Sequence, residues 1–299
     1  GGTDVAQIEG DIAVSYSNVL GLSAGEGNID VDPMFINTDF GQGPLDLRLG
    51  RCSASIDAGD NQASGLPAVD VTAVERVQDG TGDADAVVDQ GAYERSAVEP
   101  LTDIPDMAEF LDEDQDGVDG DADFAVFVSK AQGSDTSVDC SMERPCATIG
   151  HALDLVASCP LFEQVLVAGE TYDEVLDLDV TVDGVGIYGG YDDTWSRSEN
   201  FAADVPVVVS GGWHAATSQY LTIKTTGVAV EFQNLEVQGP DAFGQFMDSG
   251  RSSYAVHVSA SSDVTFEAVL FRQGDGADGA GGAPAVAATI SGGNAGNGS

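Results

Sequence analysis

Basic residues are scarce in this sequence. Its 299 residues include 10 Lys and Arg against 51 Asp and Glu, which gives a formal charge of -41 at pH 7. Nucleic-acid binding depends on clustered Lys and Arg that displace counterions from phosphates. The charge balance therefore excludes a general nucleic-acid-binding protein and indicates cation binding, a salty medium or a surface kept soluble by repulsion.

Long apolar runs are also missing. No run approaches the roughly 18 apolar residues that are needed to span a bilayer, so we expect no membrane span. The opening "GGTDVAQIEG" carries no initiator Met, basic region or apolar region of a signal peptide. The other end stops inside a Gly-rich tract. We therefore expect a fragment of a longer protein.

Helical patterning is rare, whereas short β-branched or aromatic runs are frequent. Segments such as "VPVVVSGG", "YLTIKTT" and "YAVHVSA" are β-branched or aromatic, are bounded by residues such as Gly and Ser, and are typical of strands. They predict an all-β protein. One exception is "CATIGHALDLVAS", which predicts a helix over residues 148 to 157. The residues that share its apolar face are Ile149, Ala152, Leu153 and Val156.

The strand segments recur along the second half of the chain. "VEFQNLEVQG" superimposes on "VTFEAVLFRQG" with Phe232 on Phe266 and Val237 on Phe271, an offset of 34 residues. Ile187 lies 50 residues before Val237, which predicts two intervening coils of about 25 residues. Repeats of this length indicate units that bury their apolar faces only by stacking on one another. Strand-and-turn units without helices suit a parallel β-helix.

Two sets of motifs carry resemblances to known families. From residue 125 onward, "VSKAQGSD", "PCATIGHALDLV", "VLVAGETYDE" and "VGIYGGYDDTWSR" follow in the order that resembles the opening of right-handed parallel β-helix proteins of bacterial surfaces. Within residues 28 to 95, "NIDVDPMF", "LDLRLG", "SASIDAGD" and "VDQGAYE" resemble the choice-of-anchor Q domain, which usually follows a bacterial β-helix. The first resemblance implies that the 148 to 157 helix covers the open end of the solenoid.

The resemblances together imply four regions. These are the last coil of a truncated N-terminal β-helix (1 to 24), a choice-of-anchor Q-like terminal module (25 to 97), an acidic connector (98 to 124) and the truncated start of a second β-helix (125 to 299). The predicted fold is thus all-β. It is a right-handed, single-stranded parallel β-helix with a short N-terminal capping helix, preceded by the terminal module of another β-helix.

The connector contains a candidate calcium loop, "LDEDQDGVDGDADF". Its carboxylates at the first, third, fifth and twelfth places, with Gly after the fifth, match loops in which such side chains coordinate Ca²⁺. Because "FAVFVSK" alternates as a strand, the loop resembles the Asp-rich calcium loops of thrombospondin type 3 repeats rather than an EF-hand. A solvated acidic spacer is the alternative. The predicted ligands are Asp112, Asp114, Asp116, Asp119, Asp121 and Asp123.

Four cysteines bear on the cellular compartment. Cys140 and Cys146 flank "SMERP", and a disulfide between them would close a short loop. Cys52 and Cys159 would pair with each other, stay free or pair outside the fragment. A zinc site is disfavoured because the three histidines are scattered along the chain. Disulfides would place the protein in an oxidising compartment.

Two further groups of side chains leave alternatives open. Arg76 lies in an Asp-rich segment and is predicted to pair with Asp57, Asp89 or Glu94. A set of aromatic residues would form either a sugar-stacking strip or, as we favour, a cover for the end of the solenoid. Its members are Tyr172, Tyr188, Tyr191, Trp195 and Trp213.

These observations favour a secreted or surface-displayed bacterial protein without enzymatic activity in this fragment. It would act in adhesion or as an extracellular scaffold, with surface polysaccharide or other cell-surface proteins as partners. The alternative is a carbohydrate-active β-helix enzyme, a polysaccharide lyase or pectin-esterase-like protein, whose catalytic coils lie outside this fragment. "TIGHALDLV" followed by "AGETYDE" also resembles the start of pectin methylesterases, but their catalytic motifs do not follow in residues 200 to 299.

Overall fold

The computed structural model describes residues 13–38, 45–96, 103–107, 110, 112, 116–159, 161–197, 206–247, 249–260 and 262–279. In these residues the chain is mostly β-sheet with one α-helix, which confirms the all-β prediction. The first strands are β1 (Phe35–Asn37), β2 (Asp46–Leu49) and β3 (Ala125–Val128), followed by helix α1 (Ile149–Ser158), β4 (Gln164–Ala168), β5 (Thr171–Asp173), β6 (Leu176–Leu178) and a 3₁₀ turn (Val180–Val182). Then come β7 (Gly186–Tyr191), β8 (Val208–Ser210), β9 (Gly212–His214), β10 (Gln219–Thr226), β11 (Ala229–Gln233), β12 (Glu236–Gln238), β13 (Gln245–Phe246), β14 (Ser249–Gly250), β15 (Ser253–Ser259), β16 (Asp263–Glu267) and β17 (Leu270–Arg272).

Three parallel sheets form the body of the chain after residue 124. One sheet has the order β6-β10-β15, with β9 antiparallel to β10. The second has the order β3-β4-β7-β11-β16, and the third has the order β5-β8-β12-β17. The chain passes through the three sheets in the same sequence at least three times, as β6-β7-β8, β10-β11-β12 and β15-β16-β17.

The register of the last two passes agrees with the predicted repeat. Phe232 pairs with Phe266 and Val237 pairs with Phe271, each at the predicted offset. The prediction for Ile187 was wrong: Ile187 pairs with Phe232, and Val237 pairs with Val209 of the intervening segment. Ile187 and Val209 therefore belong to two sheets of one pass. This pass is longer than the next one because the connection between β7 and β8 is longer than that between β11 and β12. A search for a constant period counts this additional length as another coil.

The apolar core lies between the three sheets. Alternate residues of β3 and β4, among them Val126, Val128, Val165 and Val167, point into this core together with the apolar face of α1. The residues between them point to a second cluster on the outer face of the same sheet, which Val118 and Trp195 cover. A sheet that is buried on both faces favours apolar residues at successive positions, which explains the unbroken "AVFV" of β3 and "VLVA" of β4. Gln164, which begins β4, is buried but donates a hydrogen bond to the Asp103 carbonyl.

Helix α1 begins one residue after the predicted start and buries the predicted face, with Leu155 in addition. Thr148 is its N-cap, because its hydroxyl accepts a hydrogen bond from the His151 N–H. Glu174 also caps the helix, since its two carboxylate oxygens accept hydrogen bonds from the N–H groups of Ile149 and Gly150 at 2.9 and 2.8 Å. A carboxylate is favoured there by the unpaired N–H groups and the helix dipole.

The described part of residues 13 to 96 is mostly turns around one short antiparallel pair, β1 and β2. The motifs "SASIDAGD" and "VDQGAYE" contact each other there. The Asp57 N–H donates to the Asp89 carboxylate at 2.8 Å, and the Gln90 side chain donates to the Ala58 carbonyl at 2.6 Å. A bridge between Asn18 and Ile29 joins residues on both sides of the boundary predicted at 24/25.

Two disulfides pair all four cysteines. Cys140 is bonded to Cys146, as predicted, and Cys52 is bonded to Cys159. The second bond ties the 45–96 segment to Cys159, the C-cap of helix α1. Across the described ranges, every helix is too short or too polar to cross a membrane.

Candidate metal centre at residues 112 to 123

The first half of the candidate calcium loop is organised around Asp112. Its Oδ1 accepts a hydrogen bond from the Asp116 N–H and its Oδ2 accepts one from the Gly117 N–H, both at 3.0 Å. Gly117 has φ of +106°, a conformation that is costly for any residue with a Cβ. The Asp116 carboxylate accepts hydrogen bonds from Val118 at 3.1 Å and Ala122 at 2.6 Å. Asp112 therefore stabilises the turn that precedes Gly117, and Asp116 stabilises the turn that follows it.

Asp119 faces away from that turn and pairs with an arginine. Its Oδ2 lies 3.1 Å from Nη1 of Arg197, and both side chains are almost fully buried. Burial raises the pKa of the Asp119 carboxyl, and the Arg197 charge opposes that rise. The positive charge of Arg197 therefore balances the negative charge of the Asp119 carboxylate, for which the sequence predicted a calcium ion.

The last two predicted ligands also have partners in the protein. Asp121 is buried, and its Oδ1 accepts the Asp123 N–H at 3.0 Å. Asp123 is half exposed, and its Oδ1 lies 3.8 Å from Nη2 of Arg51 and 3.7 Å from Nη2 of Arg95. The sixth predicted ligand, Asp114, lies outside the described residues.

The described carboxylates therefore form two groups. Asp112 and Asp116 remain in the loop, where their carboxylates accept backbone hydrogen bonds from other loop residues. These two fit the first and fifth places of a calcium loop. Asp119 and Asp123 are drawn towards arginines. Like-charge repulsion within the cluster is thus relieved partly by the protein itself.

The segment is anchored to the sheet rather than extended in solvent. Arg197 has a fully buried side chain that donates to the Gly189 carbonyl at 3.0 Å, the Asp106 carbonyl at 3.0 Å and the Gln233 side chain at 2.9 Å. The Tyr191 hydroxyl donates to the Asp119 carbonyl at 2.5 Å. Residues 116 to 123 therefore pack on the outer face of the β3-β4-β7 sheet.

Another group of potential metal donors has different chemistry. In the part of the chain that the structure describes, only Cys140, Cys146 and His151 form a trio with all ligand atoms within 4.8 Å of one another. Both cysteines are in a disulfide, so neither offers a thiolate, which is the form of cysteine that binds zinc.

The aromatic set does not form one surface. Tyr172, Tyr188, Tyr191 and Trp195 are at most 5% exposed, whereas Trp213 is 42% exposed. Trp195 packs edge-on against Phe127 at 4.8 Å between ring centroids, on the outer face of the sheet. The four buried rings are unavailable to a sugar, so they cannot act as a stacking strip.

Arg76 pairs with one of its three predicted partners. Its Nε lies 3.2 Å from the Glu94 carboxylate, whose side chain is fully buried, and its other nitrogens donate to the carbonyls of Asp89 and Gly91. Burial, reinforced by the neighbouring charge of Asp89, raises the pKa of Glu94 to about 8, while Arg76 opposes the shift. Arg76 and Glu94 therefore form a buried, structural pair within residues 45 to 96.

Sequence reasoning missed the role of the arginines. Arg197 closes the "GGYDDTWSR" motif but was assigned no function, although a lone basic residue in so acidic a chain was the available signal. Arg51, Arg95 and Arg144 were not singled out at all. Their partners lie up to 108 residues away in sequence, as for Arg144 and the Ile36 carbonyl, so no local pattern reveals them.

Comparison with known proteins adds no identification. No protein-family model, curated protein or solved structure matches the chain.

Proposed function

We propose that the chain is part of a secreted or surface-displayed parallel β-helix protein that acts without catalysis, in adhesion or as an extracellular scaffold. The proposal rests mainly on the repeated order in which the chain passes through its three parallel sheets. Stacking of successive coils forms a long surface from short units. Solenoid proteins bind extended partners on surfaces of this kind.

The corners between the sheets repeat as well. Gly227 and Ala260 stand between the first and second sheets with φ of 63° and 55°. Asn234 and Ala268 stand between the second and third sheets with φ of 57° and 51°. Left-handed backbone is uncommon outside Gly and Asn. Its recurrence at equivalent corners, including two alanines, supports a helical stack of nearly identical coils.

Extracellular placement is supported by the two disulfides, since such bonds are rare in reducing compartments. The acidic composition fits the same setting, because like charge on the surface keeps an extended protein soluble. The terminal module would be a choice-of-anchor Q-like domain, and residues 125 onward would be the beginning of the β-helix.

Calcium would act at the turn between these regions. Asp112 and Asp116 would supply carboxylate oxygens, with Asp114 between them in the sequence and the carbonyl of Val118 at the seventh place of the loop pattern. Because Arg197 already anchors Asp119, the ion would stiffen residues 112 to 118 rather than hold the whole connector. We expect a dissociation constant of roughly 10⁻⁴ to 10⁻³ M, the range of extracellular modules.

Calorimetric titration of Ca²⁺ into the full chain at physiological salt tests this role. The Asp112→Asn/Asp116→Asn variant is expected to lose the binding heat. Asp263→Asn/Asp275→Asn, which removes two exposed carboxylates far along the sequence, is the control for overall charge and is expected to bind as the parent does. Equal heats in both variants would show that calcium binds only as a diffuse counterion and would reject the site.

Incubation of the chain with immobilised bacterial surface polysaccharides distinguishes an adhesive protein from an enzyme. Retention of the chain without release of new reducing ends or unsaturated sugars is the expected result. Release of such products in proportion to the amount of chain would favour the enzymatic alternative and overturn the proposal.

A further inference from the structure

A pocket of about 820 Å³ lies between two segments that leave the stacked strands. One wall is residues 242 to 245, in the connection between β12 and β15, and the other wall is residues 275 to 278, after β17. Apart from Ala and Gly, the lining residues are Phe243, Gln245, Asp275 and Asp278. The volume lies within the range of small-molecule sites.

Hydrogen bonds join the two walls of this pocket. The Ala242 N–H donates to the Asp275 carbonyl at 2.7 Å, and the Asp275 N–H donates to the Asp241 carboxylate at 2.8 Å. The Gln245 side chain donates to the Asp278 carbonyl at 3.2 Å. Because these contacts fix the walls relative to each other, binding does not require that they first become ordered.

An exposed aromatic ring forms the apolar part of the pocket. Phe243 is 68% exposed, although phenylalanine is among the residues most often buried in a core. Its ring centroid lies 6.1 Å from that of Tyr220, which in turn lies 5.0 Å from that of Trp213. The guanidinium of Arg251 covers Trp213 at 4.5 Å from the ring centroid. An aromatic run (Phe243, Tyr220 and Trp213) therefore begins at the pocket.

The charged part of the lining decides which class of ligand fits. Its titratable side chains are two carboxylates, those of the exposed residues Asp275 and Asp278. A lipid chain or an apolar protein surface packed on Phe243 would take water from these carboxylates and offer no donor in return. A polyanion would be repelled by them and by the charge of -41 on the chain. Sugar hydroxyls donate hydrogen bonds to carboxylates, and the apolar face of a sugar packs on an aromatic ring.

We propose that this pocket binds a neutral saccharide, with one sugar ring packed on Phe243 and its hydroxyl groups donating to Asp275 and Asp278. The other two rings of the aromatic run would extend the contact along a longer glycan chain. The inference rests on the proposed adhesive function, because it names the site and the chemical class of the partner. It does not depend on calcium binding.

The test is an NMR titration of the full chain with four neutral hexasaccharides, namely cellohexaose, maltohexaose, laminarihexaose and chitohexaose. Hexagalacturonate is the anionic match. We expect at least one neutral hexasaccharide to bind and hexagalacturonate not to bind. Phe243→Ala should weaken binding about 3- to 10-fold, the usual size of an aromatic contact. Asp275→Ala/Asp278→Ala should weaken it about 10-fold or more, because sugar hydroxyls lose two charged acceptors.

Phe246→Ala is the matched control, because Phe246 is a neighbouring ring of similar exposure, 60%, outside the lining of the pocket. It should bind as the parent does. Should Phe243→Ala unfold, Asp275→Ala/Asp278→Ala gives a second measure at exposed positions. The proposal is overturned if none of the four neutral hexasaccharides binds or if Phe243→Ala and Phe246→Ala weaken binding equally. It is also overturned if hexagalacturonate, choline or phosphatidylcholine vesicles bind as tightly as the best hexasaccharide.

The pocket and the proposed function can fail separately. Equal retention of the parent and of Phe243→Ala on immobilised bacterial surface polysaccharides would reject the pocket and leave adhesion in place. Release of new reducing ends from a hexasaccharide that binds the parent but not Phe243→Ala would support the pocket and reject the role without catalysis.

Discussion

Removal of the Cys52–Cys159 disulfide should destabilise the protein more than removal of the Cys140–Cys146 disulfide. The bond closes a loop between cysteines 107 residues apart, whereas the Cys140–Cys146 bond spans a separation of 6. A cross-link restricts the unfolded chain, and the entropy that it removes grows with the logarithm of loop length. That relation gives about 5 kcal/mol for the long loop and about 2 kcal/mol for the short one.

The perturbations are Cys52→Ser/Cys159→Ser and, as the matched control, Cys140→Ser/Cys146→Ser. Both remove two sulfurs and leave charge unchanged. In urea unfolding followed by circular dichroism, an m-value of about 3 kcal/mol/M would convert the larger loss into a midpoint shift of about 1.5 M. The control is expected to shift the midpoint by less than half as much.

The long bond also has a mechanical consequence. Cys52 follows strand β2 and Cys159 is the C-cap of helix α1, so the bond joins residues 45 to 96 to the helix. Limited proteolysis of the whole chain should be faster in Cys52→Ser/Cys159→Ser than in the control. Equal midpoint shifts in the two variants would refute the loop-entropy argument, and thiol labelling of the native parent chain would refute the pairing itself.

Two further predictions concern titration and capping. Because burial raises the pKa of Glu94 from 4.5 to about 8, the folded state holds this proton more tightly than the unfolded state. The resulting stability is complete below pH 4.5 and is lost as the pH rises towards 8, by at most about 5 kcal/mol. Urea midpoints at pH 5 and pH 8.5 should therefore differ more in the parent than in Glu94→Gln, and identical differences would contradict the shift. Glu174→Ala should destabilise the protein by about 2 kcal/mol in the same assay, because two N–H groups of helix α1 lose a charged acceptor. Its neighbour Asp173, 72% exposed, is the control, and Asp173→Ala should cost below about 1 kcal/mol; equal losses would show that Glu174 is not a cap.

The motifs that carried the resemblance to β-helix proteins have a common physical basis in this structure. Asp135 of the "GSD" motif accepts the N–H groups of Ala147 and Thr148, and Glu174 of the "GETYDE" motif accepts those of Ile149 and Gly150. Both carboxylates thus organise the start of helix α1. In the sequence, Asp135 and Glu174 are parts of two separate motifs. Only the fold shows that both contact the N-terminus of helix α1.

Local patterns predicted the elements that depend on neighbouring residues. Helix α1 follows from its apolar face, and the pairing of Phe232 with Phe266 follows from two similar strands joined by a loop of moderate length. The position of Ile187 could not be predicted in the same way. Its register depends on the number of residues between β7 and β8. When such connections vary in length, equivalent strands are no longer separated by a constant number of residues.

The sequence by itself determined the sheet-forming character of the chain, the place of its helix, the short disulfide and the acidic loop, because each of these depends on residues close together along the chain. Only the tertiary structure decided which of the carboxylates in that loop meet an arginine. Asp119 and Asp123 follow Asp116 by three and seven residues in sequence but are paired with Arg197, Arg51 and Arg95 in space. Electrostatic pairing depends on distance through the folded molecule, and the separation of two residues along the chain does not give that distance.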